Sequence, residues 1–168
     1  QLEFKSHLIL KEFFRTNEDK SEIKDKIINP INQALSRIFN KENGTRLELL
    51  EIIPPLEGKI AEINFKKGES LFHYNYLSAG EKEVFNILIN LVARKEYYQD
   101  TVYFFDEIDL HLHPDWQRKI ISHLSGIFPN VQFIVTAHSP LIVQSAENVN
   151  LIILEKGKDN QTHIRQEF

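Results

Sequence analysis

The chain contains neither cysteine nor methionine. Without cysteine it can form neither a disulfide framework nor a thiolate metal site, so any metal ion must be held by oxygen or imidazole ligands. Translation starts at methionine, and none of the 168 residues is a methionine. We therefore expect this chain to be a processed piece, or the ordered part, of a longer protein.

Long hydrophobic runs are also missing. No apolar stretch approaches the about 20 residues that a membrane-spanning helix requires. The first residues, QLEFKSHLILKEFF, have charges scattered through them and no small-residue cleavage site, unlike a signal peptide. We therefore expect a cytoplasmic protein that has no membrane partner.

Basic residues are not in surplus. The formal net charge is −4, whereas a dedicated nucleic-acid-binding domain usually carries an excess of lysine and arginine. Bulk charge therefore gives no support to that class of protein, although a local basic patch remains open. Hydrophobic residues make up 42% and charged residues 26%, which is typical of one soluble domain with a real core.

Three kinds of pattern follow one another along the chain. Residues 1–44 show apolar residues at helical spacing, with Asn29-Pro30 as a predicted N-cap and first helical residue, which indicates a helical arm. Residues 45–76 contain three short β-type runs separated by PPLEG and KKGE, which predict an antiparallel meander. We expect residues 45–168 to form the second unit of the chain.

After the meander, predicted strands and helices alternate, which favours an α/β fold with a parallel sheet covered on both faces by helices. The final GKDNQTHIRQEF predicts a turn and an edge strand that returns beside LIILEK. The predicted elements are helix 79–95, strand 101–105, helix 114–128, strand 131–136, helix 140–145 and strand 149–154.

The stretch LSAGE, residues 77–81, begins a predicted amphipathic helix. Ser78 and Glu81 have the spacing of a capping box, in which each side chain bonds the other residue's backbone N–H. Gly80 costs about 1 kcal/mol relative to alanine inside a helix. It makes sense if a ligand approaches the backbone, and a helix N-terminus favours an anion. A structural cap and a phosphate contact both stay open here.

The helix that follows LSAGE has two predicted faces. Its apolar side consists of Phe85, Leu88, Ile89 and Val92. Its polar side consists of Glu83, Asn86, Asn90 and Arg94.

Two adjacent carboxylates, Asp106 and Glu107, directly follow the bulky strand VYFF. Ligands of open α/β sheets bind beyond the carboxyl ends of the strands, so both acids are candidates for a ligand site. Neighbouring residues of a strand point in different directions, which suits two roles. One carboxylate would hold hydrated Mg²⁺, and the other would orient and deprotonate an attacking water. Alternatively, both acids simply face solvent.

His138 follows the second buried strand, VQFIV, at what we expect to be the same edge of the sheet. A single histidine is more often structural than functional. Here the neighbouring strand already delivers the acids, so the imidazole would donate a hydrogen bond to a phosphoryl oxygen or to the attacking water. Ser139-Pro140 then predicts the N-cap and first residue of the next helix.

The segment DLHLHP offers a competing metal site. Asp109, His111 and His113 alternate, so in an extended segment they would share one face and suit Zn²⁺ or Mn²⁺. Pro114 starts a helix immediately afterwards, which makes an extended conformation doubtful. Together with Asp106 and His138, these residues would form a metal-dependent phosphoesterase or nuclease.

Taken in order, the motifs resemble the C-terminal half of an ABC-type ATPase nucleotide-binding domain, which implies a P-loop NTPase fold. LSAGE resembles the signature motif, VYFFDE the Walker B strand and VTAHS the switch-histidine segment. The resemblance covers roughly residues 70–155, and its strength lies in order and spacing. EIDLHLHP is more similar still to SMC/RecF-like bacterial ATPases of the OLD and Septu PtuA kind.

The resemblance implies a role for each matching residue. Asp106 would hold Mg²⁺, Glu107 would polarise the attacking water, and His138 would contact the γ-phosphate of ATP. The signature surface, which in this family touches the γ-phosphate bound by the opposite subunit, would consist of Leu77, Ser78, Ala79, Gly80 and Glu81. The implied cofactors are therefore ATP and Mg²⁺, and the implied partner is a second copy of the protein.

The sequence also departs from this pattern. Transporter domains carry proline after the catalytic pair and aspartate in the following loop, whereas here Ile108 and His113 occupy those positions. The phosphate cradle G-x-x-x-x-G-K-[ST] is missing, because neither Gly58-Lys59 nor Gly157-Lys158 is followed by serine or threonine. We expect an N-terminal Walker A lobe upstream of Gln1, and residues 1–40 as the returning arm of a helical insertion.

Three functions remain open from sequence. The first is ATP hydrolysis by a dimerising ATPase, in DNA repair and maintenance or in anti-phage defence. The second is the metal-dependent phosphoesterase or nuclease described above. The third is a non-hydrolysing ATPase-like scaffold for a partner nuclease, with DNA as a further possible partner.

Overall fold

The computed structural model describes residues 9–12, 14, 22–39, 46–53, 61–93, 101–144 and 149–166. Several features named from the sequence lie outside these residues: the separator PPLEG, the polar position Arg94 and the pair Gly58-Lys59. None of the helices in the described part combines the length and apolar character needed to cross a bilayer.

Helices and strands follow one another largely as predicted. The helices are α1 Asn29–Ile38, α2 Ala79–Ala93, α3 Pro114–Gln117, α4 Ile120–Ile127 and α5 Pro140–Gln144. The strands are β1 Leu47–Ile53, β2 Glu62–Lys67, β3 Ser70–His73, β4 Thr101–Phe105, β5 Val131–Val135, β6 Ile152–Lys156 and β7 Thr162–Gln166. Among the α/β elements, helix 114–128 is divided into α3 and α4, and the strand predicted at 149–154 starts later, at Ile152.

The predicted N-cap at Asn29 is wrong. A π-helical turn, Lys24–Ile28, leads directly into α1, and the N–H of Asn29 bonds the carbonyl of Lys24, five residues back. Asn29 has helical backbone angles, and its side-chain amide donates to Asp25 at 2.9 Å. Pro30 has no N–H to donate to an α-helical hydrogen bond. The π-turn just before it allows the helix to continue through Pro30 without an N-cap residue.

The described part of the predicted arm packs into the same core as the rest of the molecule. Asn32 in α1 donates to the carbonyl of Leu49 at 2.8 Å and accepts from its N–H at 2.7 Å, which fixes α1 on β1. Phe39 contacts Trp116 edge to face, with ring centroids 4.7 Å apart. The division of the chain at residue 44 remains a prediction.

The meander is confirmed as an antiparallel sheet in the order β1-β2-β3. The third of the predicted β-type runs, SLFHYNY at residues 70–76, ends in a 3₁₀ turn, Tyr74–Tyr76, instead of continuing as a strand toward α2. Phe65 of β2 contacts Phe85 of α2 edge to face, at 5.1 Å between ring centroids. The meander therefore packs on α2 and holds the helix from one side.

Helix α2 is buried on more of its surface than the apolar side predicted from the sequence. Its buried apolar residues are Val84, Phe85, Ile87, Leu88, Ile89, Leu91 and Val92. Asn86, expected on the polar face, is also buried, and its side-chain oxygen accepts a bond from the Tyr74 hydroxyl at 3.2 Å. The Tyr74 hydroxyl, which belongs to another element, therefore provides a partner for this buried side-chain oxygen.

Strands β4 and β5 form the predicted parallel pair, with Phe105 beside Val135 at their carboxyl ends. The prediction that both faces are covered is wrong for the described residues. Tyr103, Phe105 and Phe133 pack toward the core, but on the other face Phe104 is 70% exposed, Val102 42% and Ile134 44%. In the described part, β6 pairs with β7, which confirms the returning edge strand but not a third parallel neighbour.

Candidate functional site

The acids after β4 and the histidine after β5 meet at one edge of the sheet. Nε2 of His138 lies 3.5 Å from a carboxylate oxygen of Glu107, and both side chains are largely exposed. This confirms the predicted convergence, since parallel strands in register deliver the residues after their carboxyl ends to the same edge. The chemical roles of the two residues stay predictions.

The two adjacent acids point in different directions because the backbone turns sharply between them. Glu107 has a φ of 52°, in the left-handed region that residues other than glycine rarely adopt. The carboxylate of Asp106 accepts a hydrogen bond from the Thr136 hydroxyl at 2.6 Å, whereas that of Glu107 lies beside His138. This geometry suits the predicted division into a metal ligand and a water-activating base.

The loop after Glu107 is tied to the loop that carries His138. The carboxylate of Asp109 accepts a bond from the backbone N–H of His138 at 3.2 Å. The Gln117 amide in α3 donates to the carbonyls of Asp109 and Leu112, and its oxygen accepts from the Ser139 hydroxyl at 2.6 Å. These contacts hold the backbone of His138 and the side chain of Ser139 against the loop that follows Glu107.

Two members of this site, Thr136 and Gln117, were not predicted from the sequence. Thr136 is the first polar residue after β5, at the position that corresponds to Asp106 after β4. That correspondence is the signal that could have identified Thr136. For Gln117 no local signal exists, because its partners are 5, 8 and 22 residues away in sequence.

The capping box at LSAGE is confirmed. The N–H and hydroxyl of Ser78 both donate to Glu81 at 2.9 Å, and the N–H of Glu81 donates back to the Ser78 hydroxyl at 3.3 Å. Lys67 of β2 donates to the other oxygen of Glu81 at 2.8 Å. Burial by itself would raise the pKa of Glu81, but Lys67 and Ser78 together outweigh burial and keep that pKa below its ordinary value.

The structure supplies a reason for Gly80 that requires no ligand. Gly80 is buried, and a Cβ atom there would lie 2.6 Å from the carbonyl oxygen of His111 and 2.8 Å from a ring carbon of Trp116. Close packing therefore explains this glycine without the ligand that the sequence suggested, and the phosphate contact of Gly80 stays a prediction. Leu77 and Glu81 are buried as well, so Ser78 and Ala79 form the exposed part of the predicted signature surface.

The competing metal site has no geometric basis in this structure. DLHLH is a turn rather than an extended segment, with His111 at a φ of 65°. His113 caps α3 by accepting the N–H of Asp115, and Asp109 accepts that of His138. Across the described stretches, no three or more Asp, Glu or His side chains converge on one point, as a Zn²⁺ or Mn²⁺ site held by side chains alone requires.

A protein-family profile described as "AAA domain, putative AbiEii toxin, Type IV TA system" matches residues 5–144. The chain belongs to this AAA domain family. It is similar to "Septu protein PtuA" of Bacillus thuringiensis, 36% identical over 116 residues that cover 62% of this chain and 28% of that protein. It is also similar to "Retron Vc95 probable ATPase" of Vibrio cholerae serotype O1 biovar El Tor, 29% identical over an alignment of 183 residues.

The Vibrio cholerae alignment covers 92% of this chain and 35% of the relative. The chain thus spans about a third, or less, of the length of these curated relatives.

A solved structure described as "Structural biochemistry of ATP-driven dimerization and DNA stimulated activation of SMC ATPases" superposes with a TM-score of 0.67 at 18% identity. The superposition covers 95% of this chain and 89% of that one, so the fold is that of an SMC ATPase head, a P-loop NTPase.

Proposed function

We propose that this chain is the C-terminal catalytic lobe of a dimerising ATPase that hydrolyses ATP. The observation that carries the proposal is the contact of Glu107 with His138, beside Asp106, at the carboxyl edge of β4 and β5. An acid and an imidazole at this edge are suited to orient and deprotonate a water next to a phosphoryl group. Membership of the AAA family supports ATP as the substrate.

The side chains at this edge fit the proposed Mg²⁺ and ATP. Asp106 is exposed and offers a carboxylate, the hard oxygen ligand that Mg²⁺ prefers, while Thr136 holds one of its oxygens. Bound there together with ATP, Mg²⁺ would neutralise charge on the phosphates. Glu107 then accepts the proton of the attacking water, and His138, held by Asp109, donates a hydrogen bond to the γ-phosphate.

The start of α2 provides the proposed contact between subunits. Ser78 and Ala79 are exposed at the N-terminus of a 15-residue helix, and the positive end of the helix dipole attracts a phosphate. We propose that this surface meets the γ-phosphate bound by a second copy. The related SMC structure, described by its ATP-driven dimerization, supports this arrangement.

A Walker A lobe from elsewhere in the protein is part of the proposal. Residues 1–168 contain no G-x-x-x-x-G-K-[ST] sequence, so the β- and γ-phosphates need a cradle from another segment. The exposed face of Val102, Phe104 and Ile134 is where such a lobe would pack, because parallel strands are normally buried on both faces. Residues 1–40 would be the arm that returns from a helical insertion.

The biological setting we propose is anti-phage defence or DNA maintenance in the cytoplasm. The relatives named Septu PtuA and retron ATPase support defence, and the likeness to an SMC structure described by DNA-stimulated activation supports a DNA-linked role. A partner nuclease and DNA belong to the same proposal as candidate partners.

Substitution of Glu107 in the intact protein tests ATP hydrolysis. We expect Glu107→Gln to lower ATP turnover about 100-fold or more, because glutamine cannot accept the proton of the attacking water. ATP binding should persist, and the variant should accumulate as a dimer with ATP but not with ADP. Steady-state phosphate release and light scattering after gel filtration measure the two effects.

The matched control is Glu69→Gln, which removes the same charge from the exposed turn between β2 and β3. It should leave both turnover and assembly at parental values. Parental turnover in Glu107→Gln would show that Glu107 is not the base. Absence of ATP turnover in the parental protein would instead favour the non-hydrolysing scaffold.

A further inference from the structure

Thr136 makes four hydrogen bonds to the segment that carries the two acids. Its backbone N–H donates to the carbonyl of Phe105 at 2.8 Å, and its carbonyl accepts from the N–H of Ile108 at 3.1 Å. Its hydroxyl accepts from the N–H of Glu107 at 2.8 Å and donates to the carboxylate of Asp106 at 2.6 Å. One residue therefore contacts each of four successive residues, 105–108.

The two hydroxyl bonds depend on the identity of this side chain, whereas the two backbone bonds do not. Any residue other than proline would supply the N–H and the carbonyl. A hydroxyl has one donor and two acceptor lone pairs, so it can serve the Glu107 N–H and the Asp106 carboxylate at the same time. The β-branch of Thr136 restricts χ1 and keeps the hydroxyl in place.

The Thr136 hydroxyl helps to hold Glu107 in a left-handed backbone conformation. With a φ of 52°, Glu107 occupies a backbone region that is unfavourable for its side chain, and it stays there while surrounding contacts hold it. The bond from its N–H to Thr136 is one of those contacts, and the bonds of Thr136 to Phe105 and Ile108 enclose the turn on both sides.

We propose that Thr136 is a positioning residue whose hydroxyl fixes both Asp106 and Glu107 in their working orientations. The inference rests on the proposed ATP hydrolysis and goes beyond it, because it links the placement of the metal-binding carboxylate to that of the base. Thr136 itself is exposed at the sheet edge, so its role is not that of a core residue.

The test compares four threonine substitutions in the intact protein, one of which, Thr136→Ala, removes the hydroxyl and the methyl group together. Thr136→Val keeps the shape of the side chain but removes the hydroxyl. Thr136→Ser keeps the hydroxyl and serves as the conservative rescue. Thr101→Val makes the same replacement of threonine by valine at the opposite end of β4, remote from the acids, and serves as the matched control.

Two measurements are made on each variant. The first is ATP turnover, resolved into kcat and KM. The second is residue-resolved hydrogen exchange of the Glu107 amide without nucleotide. It reports the hydrogen bond from this amide to the Thr136 hydroxyl whether or not ATP is hydrolysed.

We expect Thr136→Val to lower kcat about tenfold or more with little change in KM for ATP, since misplaced catalytic groups act on the chemical step. Its Glu107 amide should exchange roughly two- to tenfold faster, as expected for the loss of one hydrogen bond. Thr136→Ser and Thr101→Val should stay close to the parent in both measurements. Thr136→Ala, which removes the methyl group as well, should repeat both losses.

Parental kcat in Thr136→Val, or an unchanged exchange rate of the Glu107 amide, would overturn the proposal. Failure of the proposed function has a separate signature. It would show as parental turnover in Glu107→Gln, and the exchange rates would still decide whether the Thr136 hydroxyl holds the turn.

Discussion

At the scale of single residues, close backbone approach determines what Gly80 can be. The first turn of α2 lies so near the loop after β4 that a side chain at position 80 would overlap the His111 carbonyl and the Trp116 ring. The carbonyl belongs to a residue with a φ of 65°, so it cannot shift without disturbing a turn that is already unfavourable. The start of α2 and the loop after Glu107 are therefore held together as one unit.

The pair Gly80→Ala and Gly126→Ala separates this contact from helix propensity. Alanine at position 80 should lower the free energy of unfolding by about 1–3 kcal/mol, because the neighbouring backbone must move. Gly126 is in α4 with open space around it, so alanine there should raise stability by up to about 1 kcal/mol. Urea denaturation of both variants measures the difference, and equal shifts of the same sign would contradict the contact.

At the scale of elements, polar groups of a helix depend on what packs against them. His123 in α4 lies against the core, and its Nε2 is buried without a hydrogen-bond partner among the described residues. Burial lowers the pKa of His123 below its ordinary value of 6.5, and the positive charges of Lys119 and Arg37 lower it further. The folded protein therefore resists protonation of this imidazole more than the unfolded chain does.

Stability should consequently depend on pH through His123. The folded-state pKa lies below 6.5, so the contribution of the neutral imidazole is fully present above pH 6.5 and is lost as the pH falls toward the folded pKa. His123→Leu removes this loss. The difference in the free energy of unfolding between the variant and the parent should therefore be more favourable to the variant at pH 5 than at pH 8.

Thermal or urea unfolding at the two pH values checks the effect of His123. Ser125→Leu, which places the same side chain at an exposed, non-titrating position of α4, is the control and should change stability equally at both pH values. A pH-independent effect of His123→Leu would show that this histidine does not titrate differently on folding.

At the scale of the whole molecule, the parallel pair β4 and β5 leaves one apolar face exposed. Phe104 and its neighbours Val102 and Ile134 form a contiguous patch, since Phe104 is paired directly with Ile134. A contiguous exposed apolar patch indicates an interaction surface rather than scattered surface residues. In our proposal, this is the surface that the Walker A lobe covers.

Covalent footprinting of the intact protein tests this assignment. Phe104 and Leu71 are 70% and 69% exposed in this chain, so the two residues form a matched pair. We expect Phe104 to be protected from radical labelling in the intact protein, while Leu71, at the edge of the meander, stays reactive. Labelling of Phe104 at the level set by its exposure and its intrinsic reactivity, with Leu71 as the reference, would contradict a covering lobe on β4 and β5.

Features that depend on short spacing or on the order of elements could be predicted from the amino-acid sequence. The capping box was predictable because Ser78 and Glu81 are three residues apart, and a helix brings such residues together whatever the rest of the chain does. The meeting of Glu107 and His138 was predictable as well. Two parallel strands in register bring the residues after their carboxyl ends to one edge of the sheet.

The groups that complete those local patterns come from distant parts of the chain, and only folding brings them there. Asn86 is buried because Tyr74 binds it, Gly80 is required because the His111 carbonyl approaches, and Thr136 joins the acids from 30 residues away. The contacts of Asn86 and Gly80 follow no sequence periodicity, and that of Thr136 is indicated only by its position directly after β5. Each contact depends on the distance between separate packed elements, and a change of a few tenths of an ångström would alter it. Only the folded chain fixes those distances.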